Sequence, residues 1–314
     1  MLSEIVRSVW PANKATSLRK YVARARFRVW RTYSRLAFGE TRWVGLDDRK
    51  ILVRTEDFRA YRIAIMKGTQ KAKVDLWKKM ASASPDVCVD VGANYGEFSA
   101  AIADTGLPII AVEANPKLAL CLKASFAAYH NVTIVNAAAS DSAGTASIFF
   151  NRNSSGSSSM SKEVAEDSLS DALWGGGGKQ VEVEAVPSVR LDQLIPETLG
   201  RPVNSMILKI DVEGFEELVI RGVMPLLKNL EWWRALVEFN PRAIRNAGSD
   251  PAQVWGILRG FAGIIVGSSG PPDGPFSLDA TLPDTPTFFC DVIVGQGRMP
   301  APATSGQRIQ ISQS

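Results

Sequence analysis

The chain of 314 residues predicts an α/β fold with a doubly wound, mostly parallel sheet. Three observations predict it. Short apolar, β-rich runs alternate with helical stretches, which is the pattern of βαβ units. A glycine turn follows the first run. An acid, Glu113, ends the second. Composition agrees: 46% hydrophobic and 22% charged residues exclude wholesale disorder and a coiled coil. Three scattered cysteines and one histidine, His130, exclude a disulfide scaffold and a Cys/His zinc site. No run approaches the ~20 apolar residues of a membrane span, and no apolar leader opens the chain. A soluble cytoplasmic protein is expected.

Taken in order, residues 1–50 read as a basic helical arm and 51–296 as the main domain. Residues 1–35 hold nine basic residues and one acid, a net +8, so the rest carries −4 of the total +4. Leu18, Val22, Ala25, Val29, Tyr33 and Leu36 follow steps of three and four between the arginines. Such a helix packs on its own domain or lies on an anionic membrane surface. Peripheral contact with the inner face of a membrane is therefore weighed; a nucleic-acid partner is not expected.

Asp57–Met80 reads as an irregular start and then a helix, ended by Ser82-Ala83-Ser84-Pro85. Val87–Val91 is a buried parallel strand, Phe98–Thr105 a helix, Leu107–Val112 a second strand, Lys117–Tyr129 a helix and Val132–Asn136 a third strand. Residues 144–150 and 181–186 read as two strands that pair. The Ser/Gly-rich stretch 151–180 between them reads as a flexible insert. A short helix starts at Arg190–Ile195. Met206–Ile210 and Ala235–Phe239 are the fourth and fifth strands, and Gly263–Val266 with Phe288–Val294 make a closing hairpin. Residues 297–314 read as a disordered tail.

The turn Asp90-Val91-Gly92-Ala93-Asn94-Tyr95-Gly96 lies where open α/β sheets bind ligands, at the carboxyl ends of the strands. A dinucleotide fingerprint needs a middle glycine, to make room for a pyrophosphate. Asn94 stands there instead, which argues against NAD. Glu113 follows Gly92 by 21 residues, the spacing of an acid that accepts from a ribose diol. A nucleoside with an amino-acid tail suits both features, and S-adenosylmethionine is such a molecule. Asp90 is placed to meet the tail's positive end.

These residues also carry a resemblance. The stretch from Asp90 to Ser99, Val112-Glu113-Ala114-Asn115-Pro116, Ala138–Asp141, Leu191-Asp192 and Leu208-Lys209-Ile210-Asp211-Val212-Glu213-Gly214-Phe215-Glu216 resemble the FkbM family of S-adenosylmethionine-dependent methyltransferases. The match runs from about residue 85 to 240. It implies a Rossmann-like seven-stranded sheet with helices on both faces, of the class I methyltransferase type, and methylation of hydroxyls on sugars or secondary metabolites. Cofactor contacts are then expected from Asp90, Gly92, Asn94, Gly96, Glu113 and Asn115. Adenine is expected near Ala138 and Ala139, with Ser140 and Asp141 beside it. The family often has a histidine where Asn240 stands, so any role for it is lost.

A hydroxyl needs a base, and with one histidine available that base should be a carboxylate. Asp211 is the first choice and Glu238 the second; Asp211 could equally orient the cofactor's amine. A divalent metal on Asp211, Glu238 and Asn240, as in catechol-type methyltransferases, is the alternative. A non-catalytic domain with a membrane- or nucleic-acid-binding arm is the rival from another class. Trp232 and Trp233 read as core, and Trp174 as a residue able to close on a sugar ring. The acceptor is a small-molecule or glycan hydroxyl, and its identity is not encoded in any motif.

Overall fold

The computed structural model describes residues 12–151, 154–162, 181–269, 276–277 and 288–300. The arm is helix α1 (Ala12–Phe38), followed by the antiparallel hairpin β1 (Thr41–Leu46) and β2 (Arg49–Arg54). The hairpin crosses the expected boundary at residue 50. Val44, Leu46, Ile51 and Val53 are buried in the main core, so the hairpin belongs to the body. Helices α2 (Phe58–Met66) and α3 (Lys71–Ala81) follow, and Asp57 caps the first by accepting from the Arg59 amide.

The expected βαβ order then appears. Strand β3 (Val87–Val91) leads to α4 (Glu97–Ile102), β4 (Ile109–Val112), α5 (Pro116–Ser125) and β5 (Val132–Val135). Next come β6 (Ala138–Ala139), β7 (Gly144–Asn151), β8 (Ser154–Ser159), β9 (Val181–Val189) and α6 (Leu191–Leu199). The chain continues through β10 (Ser205–Ile210), α7 (Glu216–Leu227), β11 (Trp232–Phe239), α8 (Pro241–Asn246) and α9 (Pro251–Arg259). It closes with β12 (Ala262–Ser269), the two-residue β13 (Phe276–Ser277) and β14 (Phe289–Gln296).

The main sheet has the order β13-β12-β14-β11-β10-β3-β4-β5. Its centre, β11-β10-β3-β4-β5, is parallel; β14 runs antiparallel between β11 and β12. This is the expected seven-stranded sheet, with β13 as a two-residue addition at one edge. Every residue of β3, β4 and β10 is buried, as strands covered on both faces require. Two apolar clusters lie on opposite faces, one under α6, α7 and α9 and one under α2 to α5. Trp232 and Trp233 belong to them.

The strands at 144–150 and 181–186 do pair, from Gly144↔Ser188 to Asn151↔Val181. The insert between them is not one loop. Ser154–Ser159 forms β8 on β7; the Ser155 amide donates to Asp57 and the Ser159 hydroxyl donates to the Glu213 carbonyl, which ties the strand to the body. Residues 163–180, with Trp174, lie outside the described residues, as do 1–11 and the tail from 301.

Candidate active site

The sheet's chain reversal fixes the cleft. From the central pair β3 and β10, one run of strands continues through β4 and the other through β11, so loops leaving these carboxyl ends diverge and leave a crevice. Gly92 turns the chain there at φ 73°. A Cβ on Gly92 would sit 1.9 Å from the Asp211 carbonyl oxygen, so only glycine lets the two strand ends meet. The crevice is lined by Arg59, Gly92, Asn94, Glu113, Ala137, Ala138, Ala139, Ile148, Ser155, Ser159, Met160, Asp211 and Glu213, among others. It holds about 690 Å³ of empty space, its mouth included.

Glu113 is buried, and its carboxylate ties the turn together. It accepts from the Asn94 amide at 2.7 Å and from the Asn115 amide at 2.8 Å. Burial raises its pKa, and these two amides work against the rise. Asn94 occupies the left-handed region, φ 53°, and its amide group donates to Ser155 Oγ at 3.2 Å. Beyond Glu113, the three alanines leave a shallow, apolar floor.

Five expected contacts stand back from the crevice. Asp90 is fully buried behind the turn, where Ser99 donates to it at 2.8 Å and Lys209 Nζ lies at 3.5 Å. Gly96 is the N-cap of α4; a Cβ there would strike Phe126 and Leu122, so this glycine serves helix packing. Asn115 is the N-cap of α5, with its side chain turned to the Lys117 amide. The Ser140 amide donates to the Val189 carbonyl, and its own carbonyl is pressed against Gly222 on α7. Asp141 follows it, and Ser140 Oγ donates toward its carboxylate at 3.4 Å. The chain has turned away after Ala139, which is why the alanines line the crevice and these two do not.

At the other end is a cluster of charges. Asp211, Glu213 and Glu238 offer carboxylate oxygens all within 4.8 Å of one another. Glu238, at the end of β11, is the member of this group that comes from the fifth strand. Asn240 does not join them. Its side chain accepts from the Ala243 amide and caps α8. Three cations compensate the acids: Lys209 lies 3.4 Å from Asp211, Lys73 lies 3.6 Å from Glu238 and 2.6 Å from Asp291, and Arg59 pairs with Glu97 at 3.2 Å.

The acids separate in proton affinity. Burial opposes ionisation of Asp211, but Lys209, Lys73 and Arg59 outweigh it and hold its pKa below the ordinary value. Burial, and then the Asp211 charge, push Glu238 up to about 8. Burial, Glu238 and Asp211 push Glu213 well above its ordinary value. Lys73 rises to about 12: burial lowers it, and Glu238 and Asp291 more than restore it. Of the three, Asp211 is therefore the acid that ionises most readily, and Glu213 and Glu238 are the ones that hold a proton most readily.

Glu213 also stands in the left-handed region, φ 52°, a conformation that costs a non-glycine residue about 1–2 kcal/mol. Its turn is held by buried Glu216, which accepts from the Val212 and Gly214 amides at 3.2 Å each. Burial raises Glu216 to about 7.

Sequence reasoning missed Arg59 and Lys73 because α2 and α3 precede the glycine turn and carry no motif. The serines of β8 were hidden in a low-complexity stretch. Asp211 and Glu213, which follow the fourth strand and are expected to face the same cleft as Gly92, do line it. His130, the one histidine, is exposed on the surface and takes no part in the crevice.

A family model described as methyltransferase FkbM domain matches residues 90–262, more than half of the chain. No match was found among curated proteins. Among solved structures, an O-methyltransferase from Bacillus cereus in complex with SAH is 9% identical, with a TM-score of 0.39; 85% of this chain and 99% of that one are covered. TomG, an O-methyltransferase from Streptomyces achromogenes involved in tomaymycin synthesis, in complex with SAM, is 12% identical with a TM-score of 0.37, covering 73% and 82%. A precorrin-6y C5,15-methyltransferase from Geobacter metallireducens is 10% identical with a TM-score of 0.35, covering 72% and 89%. No substrate is carried over from these likenesses. By its domain, the chain belongs to the FkbM family of S-adenosylmethionine-dependent methyltransferases.

Proposed function

We propose that the enzyme transfers the methyl group to a hydroxyl of a sugar, glycan or secondary metabolite, with Asp211 as the proton acceptor. The observation that supports this most is geometric: Asp211 lines the same crevice as Gly92 and Glu113, with Lys209 3.4 Å away to favour its ionised form.

The crevice residues suit S-adenosylmethionine. Gly92 and Asn94 offer a close backbone approach for the amino-acid tail, Glu113 an acceptor pair for the ribose diol, and Ala137–Ala139 a flat apolar surface for the base. The cofactor supplies an electrophilic methyl group when bound. The chain's own work lies with the acceptor. Asp211 takes the hydroxyl proton as the oxygen attacks, and Lys209 and Lys73 keep that carboxylate ionised beforehand. Glu213 lines the crevice, and its raised proton affinity suits it to donate a hydrogen bond to a second oxygen of a polyol. Arg59 and Met160 also line the crevice, and exclusion of water by a bound acceptor strengthens each charge there.

A second reading has one observation in its favour. Asp211, Glu213 and Glu238 form the kind of three-carboxylate group that holds a hard divalent cation. Glu213 here replaces the Asn240 of the sequence reading. Against it, Lys209 lies 3.4 Å from Asp211 and Lys73 lies 3.6 Å from Glu238, positive charges that a metal ion at these acids would have to face.

The test is calorimetric titration with S-adenosylmethionine, S-adenosylhomocysteine and NAD, followed by an acceptor screen read by mass spectrometry, with magnesium or chelator. Binding of the first two ligands and a mass gain of one methyl on a hydroxylated acceptor, unaffected by chelator, is expected. Transfer only to nitrogen or carbon would overturn the O-methyl reading. Loss of turnover with chelator would favour the cation.

A further inference from the structure

The sequence stripe on α1 is real as a pattern, but it faces the other way from a domain-packing helix. The face of α1 that packs is Phe27, Trp30 and Ser34, spaced by three and four. Phe27 meets Phe58 at 5.3 Å and Tyr61 at 5.5 Å, both on α2, with Trp30 also on Tyr61 at 5.5 Å. At 3.6 residues per turn, Val22, Val29, Tyr33 and Leu36 lie about 120° around the helix from that face. They are 45%, 69%, 60% and 83% exposed. Phe38, 51% exposed, extends the row, with its ring 6.1 Å from Tyr33 and the Arg42 guanidinium 4.6 Å above it.

This concentration is not a general property of the surface. Six of the eleven large apolar side chains exposed among the described residues lie between 22 and 43. Arg26, Arg28 and Arg35 are exposed on the same helix, within the segment of net +8. A folded domain has no use for a row of exposed apolar residues flanked by arginines in water. An anionic lipid surface fits both parts, since the apolar row enters the acyl boundary and the arginines meet headgroup charges.

We propose that α1 docks the enzyme on an anionic membrane surface through Val22, Val29, Tyr33, Leu36 and Phe38, with Arg26, Arg28 and Arg42 at the headgroups. The helix lies on the membrane and does not cross it; no described helix is long and apolar enough to span one. This inference goes beyond the proposed methyl transfer. The same helix stands on α2, whose Arg59 lines the crevice, so the docked face is one helix away from the acceptor end.

The experiment is co-sedimentation of the full chain with phosphatidylcholine vesicles, and with the same vesicles carrying phosphatidylserine. Binding to the second and not the first is expected, with weakening as salt is raised. Two variants separate the components. Val29→Ser with Leu36→Ser removes the apolar row, and Arg26→Glu with Arg28→Glu reverses the flank. Each should weaken vesicle binding on the order of tenfold or more. Both leave S-adenosylhomocysteine affinity unchanged, which shows that they remain folded. Recovery in the supernatant with both vesicle types would overturn the proposal. So would binding that neither variant alters. Concentration-dependent dimerisation lost in Val29→Ser with Leu36→Ser, without vesicle binding, would assign the face to a second copy instead. Retention on RNA but not on vesicles would assign it to nucleic acid.

Discussion

At the Gly92 end of the crevice the chain offers backbone, alanines and one buried acid; at the other end Arg59, Asp211 and Glu213 line it, backed by Glu238, Asp291, Lys73 and Lys209. The first end is assembled from β3, β4 and β6, neighbours in sequence. The second draws on β10, β11 and β14 and on helices α2 and α3 from the far side of the glycine turn. A nucleoside needs shape and a few fixed acceptors, and local strand ends can supply these. Proton transfer needs carboxylates whose affinities differ, and only charges brought from several elements can set them apart.

The largest effect expected from breaking this division is at Asp211. Asp211→Asn keeps the volume and removes the proton acceptor. Turnover should fall about 10²–10⁴-fold. A loss under fivefold in single-turnover kinetics would move the base to Glu238. Glu113→Ala acts at the other end. It removes two amide partners and the ribose acceptor, and S-adenosylhomocysteine should bind roughly 10–100-fold more weakly by calorimetry. Unchanged affinity would show that Glu113 only braces the Asn94 turn.

Smaller effects sharpen the electrostatic half. Lys73 lowers the pKa of both Asp211 and Glu238. Lys73→Met should therefore raise both, and move the acid limb of the kcat/KM profile up by about one pH unit. An unmoved limb would mean that Lys209 alone holds Asp211 ionised. The last prediction concerns stability. Glu238 has a folded pKa of about 8 against the usual 4.5, so between these values the folded chain binds more protons than the unfolded one. Stability should fall as pH rises across that window and level off above it. Glu238→Gln should flatten this slope in Tm measured from pH 5 to 9. The same slope in both proteins would place the proton elsewhere.

The comparison also explains what the sequence could carry. The parallel strands, the Gly92 turn, Glu113 and the pairing of 144–150 with 181–186 are set by runs and spacings within one or two elements, and they are legible there. Asp90, Gly96 and Asn115 belong to the same motif, but each is used for packing or capping, and the motif alone does not separate those uses from ligand contact. Arg59 and Lys73 reach the cleft only because α2 and α3 fold back over it. The direction of the α1 stripe is a similar case. Periodicity places Val29 and Leu36 on one face, but the aromatic contacts of Phe27 with α2 decide that this face looks outward.

The central claim is that Gly92 and Glu113 hold the cofactor while Asp211 serves the acceptor. Calorimetric titration of S-adenosylhomocysteine into Asp211→Asn tests it most directly, paired with turnover of the same protein. The account predicts affinity within about threefold of the parent protein beside a turnover loss of about 10²-fold or more. Affinity that falls in step with turnover would contradict it, and would make Asp211 a ligand of the cofactor's amine.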